Sequence, residues 1–479
     1  MIFISPMQSV IVIAIFLSMA VSCNQSGNLQ HKEGTSTLIE IDETGTQEKI
    51  VQSITIDSVW AGHPVGFCLL THNSRQYIAY YNSNRNMVVG QRDLSDDNFS
   101  LQIMPPLYRE SSGGISTVLG WDSHNYITMA IDKKGYIHLS GNMHVHPLTY
   151  FRSSIPGDIF SLELVKEMVA SEEDRCTYPK FMKTSDGQLI FHYRDGSSGN
   201  GNEIYNIWSC ETNRWSRLLD TPLTDGLGLM NAYQSQPAIF SDGWYHLYWV
   251  WRDTPDCSTN HDLSYMKSPD LKNWYNVNDE RVDLPATINN RSLIVDPIPV
   301  KGGIINLAAR LCLDENKNPV FVYHKYDSTG YLQLYVASHN RKGWTYKVIT
   351  DWDYRWEFSG GGSIVFEVRI NGFNRRNDGN YEVSYYHKIY GTGTFLLDNE
   401  FNVVGTVKKS APVTAGMKPE GTFPGLSVRT ASDDGASGEP GVRYILKWET
   451  LPSNRDRARP EPWPDPSTLY LFKLNPEIL

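Results

Sequence analysis

The stretch "DGWYHLYWVWR", residues 242–252, places an Asp-Gly turn directly before a run of aromatic and apolar residues. Short runs of this composition predict β-strands, and an Asp-Gly or Asn-Pro turn beside them predicts a hairpin. The pattern recurs along the chain in six further stretches: "SRQYIAYY" at 74–81, "KGYIHLSG" at 134–141, "DGQLIFHYR" at 186–194, "NPVFVYHKY" at 318–326, "DGNYEVSYYHK" at 378–388 and "GVRYILKWE" at 441–449.

Seven such units predict an all-β fold, a single seven-bladed β-propeller whose blades are four-stranded antiparallel sheets. A turn supports this prediction, because "SPDLKNW" at 268–274 resembles the Ser-x-Asp…Trp turn of sialidase-like propellers. The closing strand is expected at "STLYLFKL", residues 467–474, paired beside "QSITIDSV" at 52–59. A two-domain β-sandwich is the alternative fold.

The amino-terminal segment predicts export. An apolar core at Val10–Val21 has the length of a secretory signal, and we expect residues 1–22 to be a signal peptide. The residues around Cys23 resemble a bacterial lipoprotein processing site, which implies a lipid on Cys23. Residues 23–49 are expected to form a flexible tether and residues 50–479 the catalytic propeller. The expected location is the periplasm or the outer membrane of a Gram-negative bacterium, with membrane contact through the lipid anchor only.

The net charge of −10 makes nucleic acid an improbable partner. An anionic ligand therefore needs a local positive site. The sequence carries no compact metal-ligand motif, so no cofactor is expected to be required. His124, His144 and nearby acids could nevertheless hold a structural metal ion.

Histidines are densest between residues 121 and 152, in "WDSHNYITMAIDKKGYIHLSGNMHVHPLTYFR". His138 lies in the middle of a predicted strand and is expected to be structural. His124 and His144 flank loops, where binding and catalytic residues concentrate. Further along the chain, Tyr178 precedes a predicted strand and Arg194 ends one.

A histidine, a tyrosine and an arginine on one loop face suit abstraction of the proton next to a carboxylate. An arginine fork neutralises the carboxylate of a uronic acid, a neutral histidine removes the C5 proton, and a tyrosine returns a proton to the leaving oxygen. The result is β-elimination. The alternative is that Tyr178 packs between blades and that Arg194 pairs with Asp195 or a neighbouring acid.

From about Trp60 to Leu474, the chain resembles seven-bladed propellers that include the ulvan lyases and, more closely, enzymes that attack the L-rhamnose-α-1,4-D-glucuronic acid caps of plant arabinogalactan. The resemblance rests on "DSHNYITMAID", "GNMHVHPLTYFR", "TYPKF" and "YRDGSSGNG". For elimination it implies His124 as the base, Tyr178 as the acid and Arg194 as the carboxylate clamp.

Four further residues are expected at the substrate. His144 would orient the catalytic set, and Asn125 stands beside His124 in the same motif. "WRDTPDCSTNHDLSY" at 251–265 also looks like a family signature, in which Arg252 and His261 would help to shape the same face.

"AGHPVGF", residues 61–67, resembles a strip in the gut-bacterial α-L-rhamnosidase branch of these propellers. There a single histidine on the opposite face of the propeller is implicated in hydrolysis, and His63 occupies its position. Glycosidases usually use two carboxylates, and this stretch contains neither Asp nor Glu. The glucuronate carboxylate of the substrate is therefore expected to take the second role.

The residues and the resemblance leave three functions open. The first is an exo-acting α-L-rhamnosidase that releases terminal rhamnose from the rhamnose–glucuronate caps of arabinogalactan of the gum arabic type, with His63 as a catalytic residue. The second is a polysaccharide lyase that cleaves the same linkage and leaves a 4,5-unsaturated glucuronate. The third is a glycan-binding lipoprotein without turnover, which would use Trp249, Trp251 and Trp356 as sugar platforms.

Overall fold

Seven β-sheets dominate the computed structural model, which describes residues 38–43, 47–109, 114–410, 412–435 and 438–477. Within these residues the helical segments are single 3-10 turns at Ile159–Ser161, Cys257–Thr259, Arg291–Leu293 and Val413–Gly416. The chain is therefore all-β, as predicted. The expected signal peptide and Cys23 lie outside the described residues.

The strands of the first half are, in chain order, Ile39–Glu43 (β1), Gln47–Val59 (β2), Cys68–His72 (β3), Arg75–Tyr81 (β4), Met87–Asp93 (β5), Ser100–Ile103 (β6), Ile127–Ile131 (β7), Ile137–Gly141 (β8), His144–His146 (β9), Tyr150–Ser153 (β10), Leu162–Leu164 (β11), Cys176–Lys183 (β12), Leu189–Ser197 (β13), Asn200–Ser209 (β14) and Arg214–Arg217 (β15). Those of the second half are Asn231–Gln234 (β16), Ala238–Ile239 (β17), Tyr245–Arg252 (β18), Asn260–Ser268 (β19), Ile294–Asp296 (β20), Arg310–Leu313 (β21), Pro319–Tyr326 (β22), Leu332–Asn340 (β23), Gly343–Val348 (β24), Val368–Arg375 (β25), Tyr381–His387 (β26), Gly391–Leu397 (β27), Val403–Lys409 (β28), Ser427–Ser432 (β29), Arg443–Thr450 (β30) and Ser467–Glu477 (β31).

Each sheet is built mainly from consecutive antiparallel strands. The strand orders are β3-β4-β5-β6, β7-β8-β10-β11, β9-β12-β13-β14-β15, β16-β18-β19-β20 with β17 also on β18, β21-β22-β23-β24, β25-β26-β27-β28-β1 and β29-β30-β31-β2. Among the described pairings between strands, only that of β1 with β28 is parallel.

Every one of the seven repeated stretches supplies one strand to a different sheet. These strands are β4, β8, β13, β18, β22, β26 and β30. In β18 seven of the eight residues are buried, which shows that both faces of the strand are covered. The repeat therefore marks a strand at the centre of each sheet, where aromatic and β-branched side chains pack on both sides.

The predicted pairing of the two chain ends is confirmed. β31 runs antiparallel to β2, with Gln52 opposite Lys473 and Val59 opposite Ser467. The predicted turn at 268–274 also forms, because the Asp270 carboxylate accepts the backbone N–H groups of Lys272 and Asn273. Trp274 is buried beneath that turn.

In each sheet, the repeated strand pairs with a strand that comes before it in the chain. We call these seven partners the inner strands: β3, β7, β12, β16, β21, β25 and β29. Neighbouring inner strands touch along the runs β29-β3-β7-β12 and β21-β25. The segments that enter β7, β21 and β25 line one common cavity, together with the starts of β12 and β16. That shared end of the sheets holds the candidate site.

No helix within the described residues is both long enough and apolar enough to cross a membrane.

Candidate active site

The cavity has a volume of about 520 Å³, within the range of small-molecule sites. Its lining includes five residues that the sequence predicts, His124, His144, Tyr178, Arg194 and Arg252, and also Tyr126, His192, Glu203, Tyr233 and Arg369. Residues predicted from separate motifs thus meet in one place.

His124 lies between two carboxylates. Its Nδ1 atom is 2.8 Å from Asp122 Oδ1 and 3.2 Å from Asp456 Oδ2. Burial opposes the charged ring, but Asp122 and Asp456 outweigh it and raise the pKa of His124 to about 10. The imidazole is therefore protonated at neutral pH and cannot accept a proton. In this arrangement the imidazole of His124 is held as a cation, which does not suit the predicted role of base.

Asp456 joins three separate loops. Its carboxylate accepts hydrogen bonds from the backbone N–H and the hydroxyl of Ser123 at 3.1 and 2.7 Å. It also accepts the N–H and the hydroxyl of Ser363, both at 2.8 Å. The loop that carries His124 is thus fixed by a carboxylate from the carboxyl-terminal part of the chain.

His144 shares the Asp122 carboxylate with His124. Its Nδ1 atom lies 2.5 Å from Asp122 Oδ2, and its ring stacks on Tyr178 with centroids 5.5 Å apart. A neutral imidazole that donates Nδ1–H to a carboxylate has an unprotonated Nε2 atom. The Nε2 atom of His144 is then the ring nitrogen that does not face Asp122.

Tyr178 enters the cavity from an irregular part of β12. Its φ angle is +57°, and the pairing of β12 with β13 shifts between Thr177 and Lys180. Such a bulge redirects a side chain out of the regular alternation. Burial raises the pKa of Tyr178 well above its usual value, so the hydroxyl carries its proton at neutral pH.

Arg194 is the most deeply buried charge of the cavity, with an exposed fraction of 1%. Its guanidinium carbon lies 4.9 Å from the ring centre of Tyr178 and 5.2 Å from that of Tyr233. None of its three side-chain nitrogens has a hydrogen-bond partner among the described residues. The alternative in which Arg194 pairs with Asp195 is not what the structure shows.

Tyr233 lies on β16 and lines the cavity beside Arg194. Arg252 donates a hydrogen bond of 3.2 Å from Nη1 to the Tyr233 hydroxyl, which also contacts the Ser198 hydroxyl. Burial alone would raise the pKa of Tyr233, but Arg194 and Arg252 outweigh it and hold the pKa below its usual value. Arg252 thus acts on the site through Tyr233.

His192 and Glu203 form a buried pair behind Arg194. His192 Nε2 lies 2.6 Å from Glu203 Oε2 on neighbouring strands of one sheet. His192 and Arg194 are two positions apart on β13 and therefore point to the same side of the strand. Both of these residues line the cavity.

Several predicted residues lie elsewhere. Asn125 is buried with its backbone carbonyl bonded to the Tyr81 hydroxyl, and it does not line the cavity. His261 is held between Asp253 and Asp262 at 2.9 and 3.0 Å, outside the cavity lining. The three tryptophans expected as sugar platforms, Trp249, Trp251 and Trp356, are buried in the core.

His63 is enclosed by aromatic rings. Trp60 donates its Nε1–H to His63 Nδ1 at 3.0 Å, and the Trp121 ring centre lies 5.4 Å away. His63 is 3% exposed, and its Nε2 atom has no hydrogen-bond partner among the described residues. Burial and the nearby Arg85 lower its pKa to about 4. We call this enclosure, formed by Trp60, Trp121, Trp463 and Arg85, the tryptophan box.

The expected placement of His63 on the opposite face is wrong. His63 precedes β3 and His124 precedes β7, and these two inner strands touch each other. The carboxylates of Asp122 and Asp456, which hold His124, are also close enough to act on the pKa of His63. Gly62 is explained by packing, since a Cβ atom there would lie 2.2 Å from the Trp60 ring.

One cluster among the described residues has the composition of a metal site. One possible ligand atom from each of Asp122, His124 and His144 lies within 4.8 Å of the others. Both Nδ1 atoms already face an Asp122 oxygen at hydrogen-bond distance. The three side chains therefore form a hydrogen-bonded cluster.

The structure adds residues that the sequence reasoning missed. Asp122 stands inside the motif that contains His124, so its position next to a predicted base was a usable signal. Tyr233 lies in "NAYQSQP", which carries no chemical pattern. Asp456 is 333 positions from Ser123 and could be found only from the folded chain.

The model of the "BNR repeat-containing family member" family matches residues 75–352, more than half of the chain. An ulvan lyase, long isoform, from Glaciecola sp. (strain KUL10) is 24% identical over 194 residues, which are 32% of this chain and 19% of the relative. That from Pseudoalteromonas sp. (strain PLSV) is 28% identical over 166 residues, 24% of this chain and 17% of the relative. The matched regions thus span less than one fifth of these relatives.

Two solved structures share the fold. The crystal structure of the polysaccharide lyase Uly1 matches with a TM-score of 0.56 at 16% identity, over 89% of this chain and 99% of the other. An ulvan lyase bound to -[GlcA(1-4)Rha3S]- matches with a TM-score of 0.56 at 14% identity, over 88% and 96% of the two chains.

Proposed function

This chain belongs to the BNR repeat-containing family, and we propose that it is a polysaccharide lyase that cleaves chains containing 4-linked glucuronate by β-elimination. The observation that carries the proposal is Arg194, a buried guanidinium that lines the cavity and has no hydrogen-bonded partner among the described residues. A buried charge without a partner is costly, and a planar carboxylate that accepts two parallel N–H bonds matches a guanidinium. A uronic acid supplies that carboxylate.

The neighbouring side chains then have distinct tasks. Arg194 and the imidazolium of His124 neutralise the carboxylate as negative charge develops on it. His144 Nε2 removes the C5 proton, the electron pair forms the C4–C5 double bond, and the bond from C4 to the glycosidic oxygen breaks. Tyr178 donates its proton to that oxygen. No water is consumed.

The seven sheets are proposed to be the blades of a closed propeller. The contacts between inner strands along β29-β3-β7-β12 and β21-β25, and the cavity that several of them share, support this arrangement. In a propeller, that cavity is the mouth of the central channel.

The rhamnose–glucuronate linkage of arabinogalactan caps remains the proposed substrate, because elimination at the glucuronate releases the sugar attached to its O4. Hydrolysis through His63 has less support, because His63 is sealed in the tryptophan box and the two ulvan lyases and Uly1 described above are lyases. A glycan-binding protein without turnover would have no use for the Tyr178 hydroxyl and the His144 imidazole beside the buried Arg194.

Export as a lipoprotein anchored through Cys23 is a separate proposal, carried by the apolar segment before that residue. It brings the enzyme to polysaccharides outside the cytoplasm. Replacing Cys23 by Ala in the full chain is expected to move the protein from the membrane fraction to the soluble fraction. Retention in the membrane fraction would contradict the anchor.

The lyase proposal is tested with gum arabic arabinogalactan and the same polymer after reduction of its glucuronate carboxylates. Elimination on the native polymer produces a 4,5-unsaturated uronate that absorbs in the ultraviolet. The reduced polymer is expected to give no product, because Arg194 has no anion to hold and the C5 proton loses its acidity. Equal sugar release from both polymers would refute the proposal.

A further inference from the structure

His192 and Glu203 are a buried pair that the proposed mechanism does not use. Their exposed fractions are 5% and 4%, and both residues line the cavity. Glu203 lies directly opposite Arg194 in the pairing of β13 with β14. Residues directly opposite each other in an antiparallel pair lie on one face, with Cβ atoms about 4.5 to 5.5 Å apart. A carboxylate therefore stands within reach of the Arg194 guanidinium.

Glu203 nevertheless makes its hydrogen bond elsewhere. Its Oε2 atom lies 2.6 Å from Nε2 of His192, which is two positions before Arg194 on β13. The three side-chain nitrogens of Arg194 have no hydrogen-bond partner among the described residues. Burial opposes the charge of Arg194, and the Glu203 carboxylate is among the groups that raise its pKa. The two charges thus attract each other, yet they do not form the ion pair that the register permits.

Two neighbours hold His192 in place. Its ring stacks on Tyr205 with centroids 4.4 Å apart, and its Nδ1 atom lies 3.4 Å from Nε2 of Gln236. A neutral ring that accepts a hydrogen bond from Gln236 at Nδ1 carries its proton on Nε2 and donates it to Glu203. Hydrogen bonds to a charged carboxylate are shorter and stronger than those between neutral groups. His192 therefore fixes the direction of the Glu203 side chain.

We propose that His192 is a positioning residue that holds the Glu203 carboxylate away from Arg194, so that the guanidinium stays open for the carboxylate of a uronic acid. Without the imidazole, Glu203 would lose its donor and turn to Arg194, because a buried charge without a partner is costly. The internal ion pair would then compete with the substrate. The clamp role of Arg194 rests on the proposed function, whereas its separation from Glu203 by His192 does not.

This arrangement gives the cavity a counterion and leaves the clamp unblocked. A buried cation needs an opposite charge nearby, and Glu203 supplies it from the neighbouring strand. Because its hydrogen bond goes to His192, the parallel N–H groups of Arg194 stay available for the two oxygens of a bound carboxylate.

The first experiment compares crystal structures of the full chain and of its His192→Phe variant. Phenylalanine keeps a ring against Tyr205 and removes the N–H donor. We expect the Glu203 carboxylate of the variant to lie at hydrogen-bond distance from Arg194. A variant in which Glu203 stays apart from Arg194 would overturn the proposal. His192→Ala gives the same comparison if phenylalanine prevents folding.

The second experiment measures the binding of free glucuronate by calorimetry, which needs no turnover. We expect His192→Phe to bind it at least tenfold more weakly than the wild type. Addition of Glu203→Gln is expected to restore the affinity to within threefold, because glutamine carries no charge to pair with Arg194. A loss that persists in the double variant would overturn the proposal, since His192 would then contribute packing alone.

His246→Phe is the matched control for the binding measurement. His246 is a buried histidine whose Nε2 atom lies 3.0 Å from an Asp242 oxygen, and it does not line the cavity. We expect this variant to bind glucuronate as the wild type does.

Kinetics on gum arabic arabinogalactan separate the positioning role from a general loss of structure. An internal ion pair weakens ground-state and transition-state binding equally, so we expect KM of His192→Phe to rise at least tenfold and kcat to change less than threefold. A fall in kcat with an unchanged KM would contradict the proposal. An ion pair in the variant without any loss of glucuronate affinity would uphold the separation of Glu203 from Arg194 and refute Arg194 as the clamp.

Discussion

His63 and His124 occupy corresponding places in neighbouring sheets, each just before an inner strand and at the same end of the sheets. Their surroundings differ completely. His63 meets indole rings and the Arg85 guanidinium, which lies 3.8 Å from the Trp60 ring centre, whereas His124 meets two carboxylates. One imidazole is kept neutral and the other protonated.

The difference teaches that a histidine in a suggestive motif takes its chemistry from its partners. Asp122 and Asp456 make His124 a cation that faces a cavity. Trp60 and Trp121 make His63 a packing residue.

Arg194→Lys tests the cavity region most severely. A lysine cannot form the bidentate pair, and loss of one partner of a buried charge pair costs about 2 to 5 kcal/mol, so we expect kcat/KM to fall by about a thousandfold. Ultraviolet detection of the unsaturated uronate measures the rate. Arg341→Lys serves as the control, and a loss below tenfold in Arg194→Lys would contradict the clamp.

Tyr178→Phe removes the proposed proton donor and leaves the ring in place. We expect kcat to fall by about a hundredfold, the lower range for loss of a general acid or base, with a smaller change in KM. Tyr108→Phe is the matched control, because Tyr108 is 78% exposed. A variant with normal kcat would assign proton donation to another group.

Asp456→Asn tests why His124 is a cation. Activity that needs the imidazolium persists while His124 stays protonated, so in the wild type it falls only above a pH of about 10. The described groups around the ring are Asp122, Asp456, His144 and Tyr178. Loss of one carboxylate lowers the pKa of His124, and we expect the alkaline limb of kcat to move down by about one to three pH units. An unmoved limb would show that Asp456 does not set the charge.

His63→Gln is expected to change activity less than threefold, because the side chain does not line the cavity. Its effect is on stability. The wild-type ring stays neutral down to a pH of about 4 although an unfolded histidine takes a proton below about 6.5, so stability is complete above 6.5 and falls as the pH drops toward 4.

The fall in the free energy of unfolding across that window is expected to reach about 3 kcal/mol. His63→Gln, which has no titrating group, is expected to lack this part of the acid sensitivity. Denaturant unfolding at pH 7.5 and pH 4.5 measures the difference between the two proteins. Abolished activity together with normal folding in His63→Gln would restore the hydrolase interpretation.

Much of the fold could be predicted because each sheet repeats one local pattern. The strands β4, β8, β13, β18, β22, β26 and β30 coincide with runs of aromatic and apolar residues behind turns. The pairing of β2 with β31 was also predictable, since both runs alternate and lie at opposite ends of the chain.

The sequence was enough to predict which residues meet in the cavity, but not which of them carry a charge. His124, His144, Tyr178 and Arg194 meet as their motifs suggested. Their charges depend on Asp456 and Tyr233, which lie far away in the sequence and carry no local pattern. The charge of His124 depends on Asp456 together with Asp122, which stands in the same motif, and the enclosure of His63 could not be read from its motif because a motif says nothing about burial.

The most direct test of the central claim is the reaction of the purified protein with gum arabic arabinogalactan in oxygen-18 water. Elimination breaks the bond from C4 of the glucuronate to the glycosidic oxygen, so the account predicts unlabelled rhamnose together with an ultraviolet-absorbing 4,5-unsaturated uronate. Rhamnose labelled at its anomeric hydroxyl, with no absorbing product, would mean hydrolysis and would contradict it.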